Sequence, residues 1–307
     1  MCFDDHRHVH LRTTVVAGGH QALRVGVQLT IWPARASKRA GQQYRYTGWD
    51  DMGITWTSSE SAAAALERSI TAVFRGREAP AWELALPQSG PVRGVAMMVH
   101  GGGWTWVGPG TLRGCDMHVE RWLQRGWATV NVDYRAGGQS LPDVLAFHDA
   151  IRGWAGMDTP MGILGVSAGG HLALMTAAQR NVDWVVGVGA PTHLASLGGT
   201  EGANTVRAMA EQSFGSSAAA LQAMSPTHHA DAIRGQVLLA ASAADDVVPP
   251  AQVPAFLTAR PHDTVGMILE PGEQEFIHAG VSSSALAKFT SAEEAMLARA
   301  YPQRPSA

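Results

Sequence analysis

The decapeptide Met161-Gly162-Ile163-Leu164-Gly165-Val166-Ser167-Ala168-Gly169-Gly170 decides how this chain is read. Its first half is an apolar run of strand length, and its second half opens a helical stretch that continues to Arg180, so strand turns into helix at Ser167. A turn that sharp holds the residue at its tip in a strained conformation, and the flanking glycines let strand and helix approach each other. The Ser167 hydroxyl is then lifted above the sheet edge at a helix N-terminus, where a serine nucleophile would sit. The same residues also fit a glycine-rich turn with a capping serine. Support must come from elsewhere in the chain.

It comes first from upstream, where Val95-Ala96-Met97-Met98-Val99 runs into His100-Gly101-Gly102-Gly103-Trp104. Acyl transfer needs preorganised N–H donors for the oxyanion of a tetrahedral intermediate, and consecutive glycines let the backbone aim its amides at one point. Gly102 and Gly103 are the expected donors. Ala168 supplies the third, because its amide follows the nucleophile and opens a helix whose dipole favours negative charge.

A serine nucleophile requires a base, and the base an orienting carboxylate. The buried-strand run Gln236-Val237-Leu238-Leu239-Ala240-Ala241 leads into a loop carrying Asp245 and Asp246. The later run from Thr264 to Glu270 is followed by Pro271-Gly272 and then by His278. The chain order is therefore Ser167, Asp245, His278, as in the triad of the α/β-hydrolases and unlike the chymotrypsin or subtilisin orders. Asp246 competes with Asp245, since adjacent carboxylates on one loop point in different directions. His262 is the weaker rival of His278, because it precedes the last strand.

On these motifs the segment from about Ala81 to Phe289 resembles the α/β-hydrolase superfamily. The His-Gly-Gly-Gly motif and Val132-Asp133-Tyr134-Arg135 resemble hormone-sensitive-lipase-like carboxylesterases and arylformamidase-type hydrolases. The C-terminal third, with Ser225 to Ile233 before the strand and an Asp-x-x-Val-Pro pattern after it, is similar to prolyl-oligopeptidase-type catalytic domains. That pattern implies Asp245 as triad acid, with Val248 and Pro249 completing it. The chain departs from the pattern at Ala241-Ser242, where a His-Gly pair is usual, and at Ala279-Gly280 after the histidine.

The chain has 307 residues, a net charge of −3 and only 16% charged residues, so neither a nucleic-acid footprint nor a basic membrane surface is indicated. No segment offers about 18 uninterrupted apolar residues, and the N-terminus lacks a signal-peptide pattern. Two cysteines are too few for a disulfide framework, which makes a cytoplasmic enzyme the expectation. No metal or organic cofactor is required; alternating His6, His8 and His10 lack a matching acidic or thiol partner. The expected partner is a small-molecule ester, without nucleic acid or stable membrane association, and the oligomeric state is left open.

Strands are expected at Ala81 to Leu86, Val92 to Val99, Trp127 to Val132, Met161 to Val166, Trp184 to Gly189, Val237 to Ala241 and Val265 to Leu269. Helices are expected at Thr111 to Arg125, Pro142 to Ala155, Ala168 to Arg180 and Ser283 to Ala300. This alternation predicts an α/β fold, an α/β-hydrolase fold with a mainly parallel central sheet, helices on both faces and a small lid insertion. The catalytic domain spans 79–307 and the lid 191–224, with an alanine-rich helix from about Asn204 to Gln212. Residues 1–78 form an N-terminal extension holding two candidate strands, Thr13 to Val16 and Val25 to Ile31, and a helix from Ser58 to about Phe74. Trp104 and Trp106, just past the glycines, are candidate substrate-pocket walls, with packing beneath the loop as the alternative. His228 and His229 precede the acid strand and are expected to be structural. Asp133 precedes the serine and belongs, with Tyr134 and Arg135, to a buried network supporting the site loops. The reaction expected is hydrolysis of a carboxylic ester of a small to medium neutral substrate through an acyl-enzyme. The alternatives are an amide hydrolase and a non-catalytic binding relative.

Overall fold

The computed structural model describes residues 10–17, 24–30, 59–75, 77–88 and 90–302. The apolar runs singled out above become seven consecutive strands of one sheet. They are β3 (Trp82–Ala85), β4 (Gly94–Val99), β5 (Trp127–Val132), β6 (Met161–Val166), β7 (Trp184–Val188), β8 (Gln236–Ser242) and β9 (Thr264–Leu269). Two N-terminal strands, β1 (His10–Ala17) and β2 (Arg24–Thr30), extend the sheet beyond β3, giving the order β2-β1-β3-β5-β4-β6-β7-β8-β9. The run from β5 to β9 is parallel throughout, whereas β3 pairs antiparallel with β5, and β1 pairs antiparallel with both β2 and β3. The N-terminal segment therefore supplies strands to the sheet itself.

The central strands lack the apolar–polar alternation of half-buried strands because both faces are covered. Val95, Met97 and Val99 of β4 join one core with α1 (Ser59–Phe74), α3 (Ser140–Ala155), α4 (Ala168–Ala177) and α7 (Gln252–Ala259). Ala96 and Met98 face the opposite core, built with α2 (Asp116–Gln124) and α8 (Ser283–Ala300). In that second core Trp122 stacks on Trp184 at 4.2 Å between ring centroids and meets Trp127 edge-on at 5.4 Å. Helix α1 is tied to α3 by hydrogen bonds from Ser69 Oγ to the Ala150 carbonyl (2.7 Å) and from Trp154 Nε1 to the Ala62 carbonyl (3.1 Å).

Three departures from the expected elements have local causes. The helix expected from Thr111 is a 3-10 turn over Pro109–Cys115 before α2 begins, since Pro109, Gly110 and Gly114 are poor in α-helix. A hairpin of β10 (Pro271–Ile277) and β11 (Ala279–Val281) follows β9; its polar, exposed Gly272-Glu273-Gln274-Glu275 carries no strand periodicity. The 191–224 insertion contains α5 (Glu201–Phe214) and a second short helix, α6 (Ala218–Ala223). The histidine pattern at positions 6, 8 and 10 falls largely outside the described residues. Among the described residues no helix is long and apolar enough to cross a membrane.

Candidate active site

Parallel strands β4, β6, β7 and β8 all end at the same edge of the sheet, so the loops leaving them converge there. Ser167 occupies the turn from β6 to α4 with φ 53° and ψ −126°, a conformation that side chains other than glycine's rarely adopt. Its amide donates to the Val188 carbonyl (2.8 Å), pinning the elbow to the end of β7. Gly169 is required sterically, because a β-carbon there would run into the carbonyl oxygens of Val99 and His100 at the end of β4. Of the five non-glycine residues with positive φ among the described residues, three are Trp104, Ser167 and His278. Backbone strain thus gathers where the strand ends meet.

His278 is the tip of the β10–β11 hairpin, at φ 60° between the paired residues Ile277 and Ala279. Its Nε2 lies 2.9 Å from Ser167 Oγ and its Nδ1 lies 2.9 Å from Asp245 Oδ2. The carboxylate faces Nδ1, so Nδ1 carries the proton and donates it, leaving the Nε2 lone pair for the serine hydroxyl. The Asp245 side chain is fully buried, and its Oδ1 accepts from the amides of Val247 (3.0 Å) and Val248 (2.8 Å), which fix its direction. Asp246 is exposed, and among the described residues only its main-chain carbonyl is engaged, by the Thr200 hydroxyl. His262 lies in an exposed turn just before β9, at the opposite end of that strand from the site. Ser167, His278 and Asp245 are brought together, and the two rivals are not.

The glycine loop crosses the nucleophile. A β-carbon on Gly101 would stand 3.1 Å from that of Ser167, and Gly102 and Gly103 take φ values of 119° and 57°. The Gly102 carbonyl accepts from the amides of Thr105 (3.1 Å) and Trp106 (2.9 Å), closing the loop into a tight turn. Ala168 is the first residue of α4, so its amide belongs to the first-turn donors without an intrahelical acceptor. Beneath the loop the Tyr134 hydroxyl lies 3.1 and 3.0 Å from the carbonyl oxygens of His100 and Gly101. The His100 ring stacks on Tyr134 (4.5 Å) and places Nε2 2.9 Å from Asp133 Oδ1. Arg135 forks onto buried Asp143 at 2.8 and 2.5 Å. The network expected around Asp133 is thus present, and it holds the glycine loop from below.

Trp104 departs from the expectation of a pocket wall, since its ring has no exposed surface. The positive φ at Trp104 turns it inward, where it meets His171 edge-on at 5.1 Å and Phe214 at 5.4 Å. Its indole N–H donates to His171 Nδ1 (3.1 Å), so the His171 proton sits on Nε2 and goes to the Met224 carbonyl (2.6 Å). Burial pushes the pKa of His171 down to about 4. Trp106 is 69% exposed on the rim of the same loop. His228 stacks on His193 at 5.6 Å and His229 Nε2 reaches the Ala223 carbonyl (2.8 Å), both away from Ser167. The sequence reading missed His171, whose only sequence sign is its position one helical turn after the serine.

A depression of about 640 Å³ between α3 and Tyr301 lies at the other end of the sheet, beside the start of β6. Its two arginines are already engaged, Arg180 with Asp149 (2.7 Å) and Arg152 with the Thr159 carbonyl (2.6 Å). The convergent polar chemistry is at Ser167.

The model of the BD-FAE family matches residues 83–259, more than half of the chain and most of its sheet. The chain belongs to the BD-FAE family. This is an α/β-hydrolase-type esterase domain, which places the protein among the carboxylic ester hydrolases. Esterase B from Lactobacillus rhamnosis is similar in structure, with a TM-score of 0.59 and 13% identity over 78% of this chain and 96% of that one. A bifunctional GH43-CE protein from Bacteroides eggerthii has a TM-score of 0.58 and 22% identity over 70% of this chain. The chain spans only 36% of that protein's length. Puromycin hydrolase has a TM-score of 0.57 and 19% identity over 73% of this chain and 37% of that one. Identities this low establish a shared fold. No curated protein matches the chain.

Proposed function

We propose that this BD-FAE member is a serine esterase working by two-step acyl transfer. The observation that carries it is the unbroken relay from Ser167 Oγ through His278 to Asp245, lying under a glycine loop. His278 takes the hydroxyl proton at Nε2 as Ser167 attacks the ester carbonyl carbon. Asp245 holds the imidazole tautomer and stabilises the imidazolium. The amides of Gly102, Gly103 and Ala168 receive the oxyanion. The imidazolium then protonates the leaving alkoxide and an acyl-enzyme remains; water, deprotonated by His278, repeats the sequence and releases the acid. Apart from that water and the ester, the reacting groups belong to the chain, and the mechanism calls for no metal or organic cofactor.

Support for a small or medium neutral ester comes from the apolar side chains at the loop, where exposed Trp106 adjoins Gly102 and Met209 lies against Gly103. A cytoplasmic enzyme of free small-molecule esters agrees with the buried free thiol of Cys115. The test is covalent labelling by a fluorophosphonate together with a hydrolysis screen over esters, lactones, aryl formamides and aminoacyl anilides, with Ser167→Ala as blank. Labelling of wild type alone and turnover of esters are expected. Faster turnover of formamides or anilides would make the protein an amide hydrolase, and an unlabelled folded wild type would leave only ligand binding.

A further inference from the structure

The insertion between β7 and β8 does more than border the cleft. Thr200, the residue preceding α5, makes two hydrogen bonds at once. Its Oγ1 accepts from the Ala203 amide (3.1 Å), capping the helix, and its hydroxyl donates to the Asp246 main-chain carbonyl. Two residues on, Gly202 presses against the same loop: a β-carbon there would lie 2.7 Å from the Asp246 carbonyl oxygen and 3.0 Å from Val247 Cα. The loop gripped in this way is the one whose Val247 and Val248 amides aim Asp245.

A second stitch holds the same two segments together. Buried Gln252, at the start of α7, accepts on Oε1 from the amides of Thr192 (2.8 Å) and His193 (2.7 Å). Its Nε2 donates to Ser196 Oγ (3.0 Å). The far part of α5 is also seated, with the Met209 thioether against Gly103 and Ser213 against the Gly137-Gly138 turn. α5 is thus anchored on the acid loop at one end and beside the glycine loop at the other, as a strap would be.

We propose that Thr200 and Gly202 are positioning residues that hold Asp245 in register with His278, an inference that rests on the serine-esterase reading above. The carboxylate 2.9 Å from Nδ1 fixes the direction of the ring and the tautomer that leaves Nε2 free for Ser167. If the strap loosens and the acid loop drifts, the imidazole loses both. The chemical step then slows while substrate binding stays.

Thr200→Val removes the latch, Thr200→Ser keeps it, and Gly202→Ala wedges the loop. Ser217→Ala is the control, because Ser217 caps α6 by accepting from the Ala220 amide (3.1 Å) without touching the acid loop. Thr200→Val is expected to lower kcat about tenfold with KM nearly unchanged. Thr200→Ser should restore kcat, and Gly202→Ala should follow Thr200→Val; if it does not fold, Thr200→Val decides. Ser217→Ala should lower the melting temperature and leave kcat in place. A Thr200→Val enzyme with wild-type kcat, one whose kcat Thr200→Ser does not restore, or a Ser217→Ala enzyme that loses kcat as Thr200→Val does, overturns the proposal. Failure of wild type to label with fluorophosphonate would instead sink the esterase mechanism beneath it.

Discussion

Two imidazoles flank the elbow, and they are used in opposite ways. His278 sits at a hairpin tip with a carboxylate on one ring nitrogen and a hydroxyl on the other, so it can gain and lose a proton along a defined line. His171 sits one turn into α4, fully buried, with an indole N–H on one nitrogen and a carbonyl on the other. An indole cannot accept a proton and a carbonyl cannot give one, so the His171 ring is locked neutral and serves as a peg between the glycine loop and the insertion. The residue type is the same; the partners decide whether it is chemistry or scaffold.

The contrast breaks first at the largest effect. Ser167→Ala or His278→Ala should cost on the order of 10⁴-fold or more in kcat, because members of such a unit fail together. His171→Gln can keep both an acceptor and a donor, and is expected to retain kcat within about tenfold while lowering the melting temperature. Stopped turnover in a folded His171→Gln enzyme would show that the peg is part of the machinery.

The same logic separates the two neighbouring carboxylates. Asp245→Asn presents an amide to Nδ1, favours the wrong tautomer and should lower kcat by as much as ~10⁴. Asp246→Asn leaves the main-chain carbonyl that Thr200 uses and should change kcat less than about threefold. A larger loss at Asp246, measured on the same ester, would reassign the acid.

That pair also marks how far the sequence alone could be read. β5 and β6 begin and end where their apolar runs do, and α8 spans the residues expected, because continuous burial and turn residues announce those limits. The elbow and the glycine loop were legible from spacing. The choice of Asp245 over Asp246 rested on the Asp-x-x-Val-Pro resemblance alone, since physically it depends on which side chain the Val247 and Val248 amides capture. The hairpin bearing His278 was hidden because its exposed strand has no apolar alternation to report. The Thr200 latch was hidden too: its acceptor is a main-chain carbonyl, which no residue type advertises.

A smaller effect tests the scaffold side through pH. The folded protein protonates His171 only near pH 4, whereas an unfolded chain does so near the ordinary value of 6.5. Between those values unfolding takes up a proton, so stability falls as pH drops from about 6.5 toward 4 and is unaffected by this group above that window. The loss is of order 3 kcal/mol at most. Urea midpoints at pH 7 and pH 4.5 should therefore differ more in wild type than in His171→Gln. Equal differences would mean that His171 is not held neutral.

The smallest expected effect concerns the two tryptophans of the glycine loop, which divide as the histidines do. Trp104 is sealed inside by His171 and Phe214, so Trp104→Phe should lower stability by about 1–3 kcal/mol through the lost N–H donor and packing, with acyl-chain preference unchanged. Trp106 is mostly exposed, so its removal opens no cavity, and Trp106→Ala should leave the melting temperature within about a degree. What Trp106 can offer is a rigid apolar face beside the oxyanion glycines, worth a few-fold in KM for esters whose acyl or aryl group reaches the rim. Across aryl acetate, butyrate, octanoate and palmitate, wild type should prefer the shorter chains, and Trp106→Ala should raise KM for butyrate and octanoate more than for acetate. A uniform change over the series would make Trp106 a bystander. Faster turnover of palmitate than of butyrate would point to a lipase-like acyl tunnel.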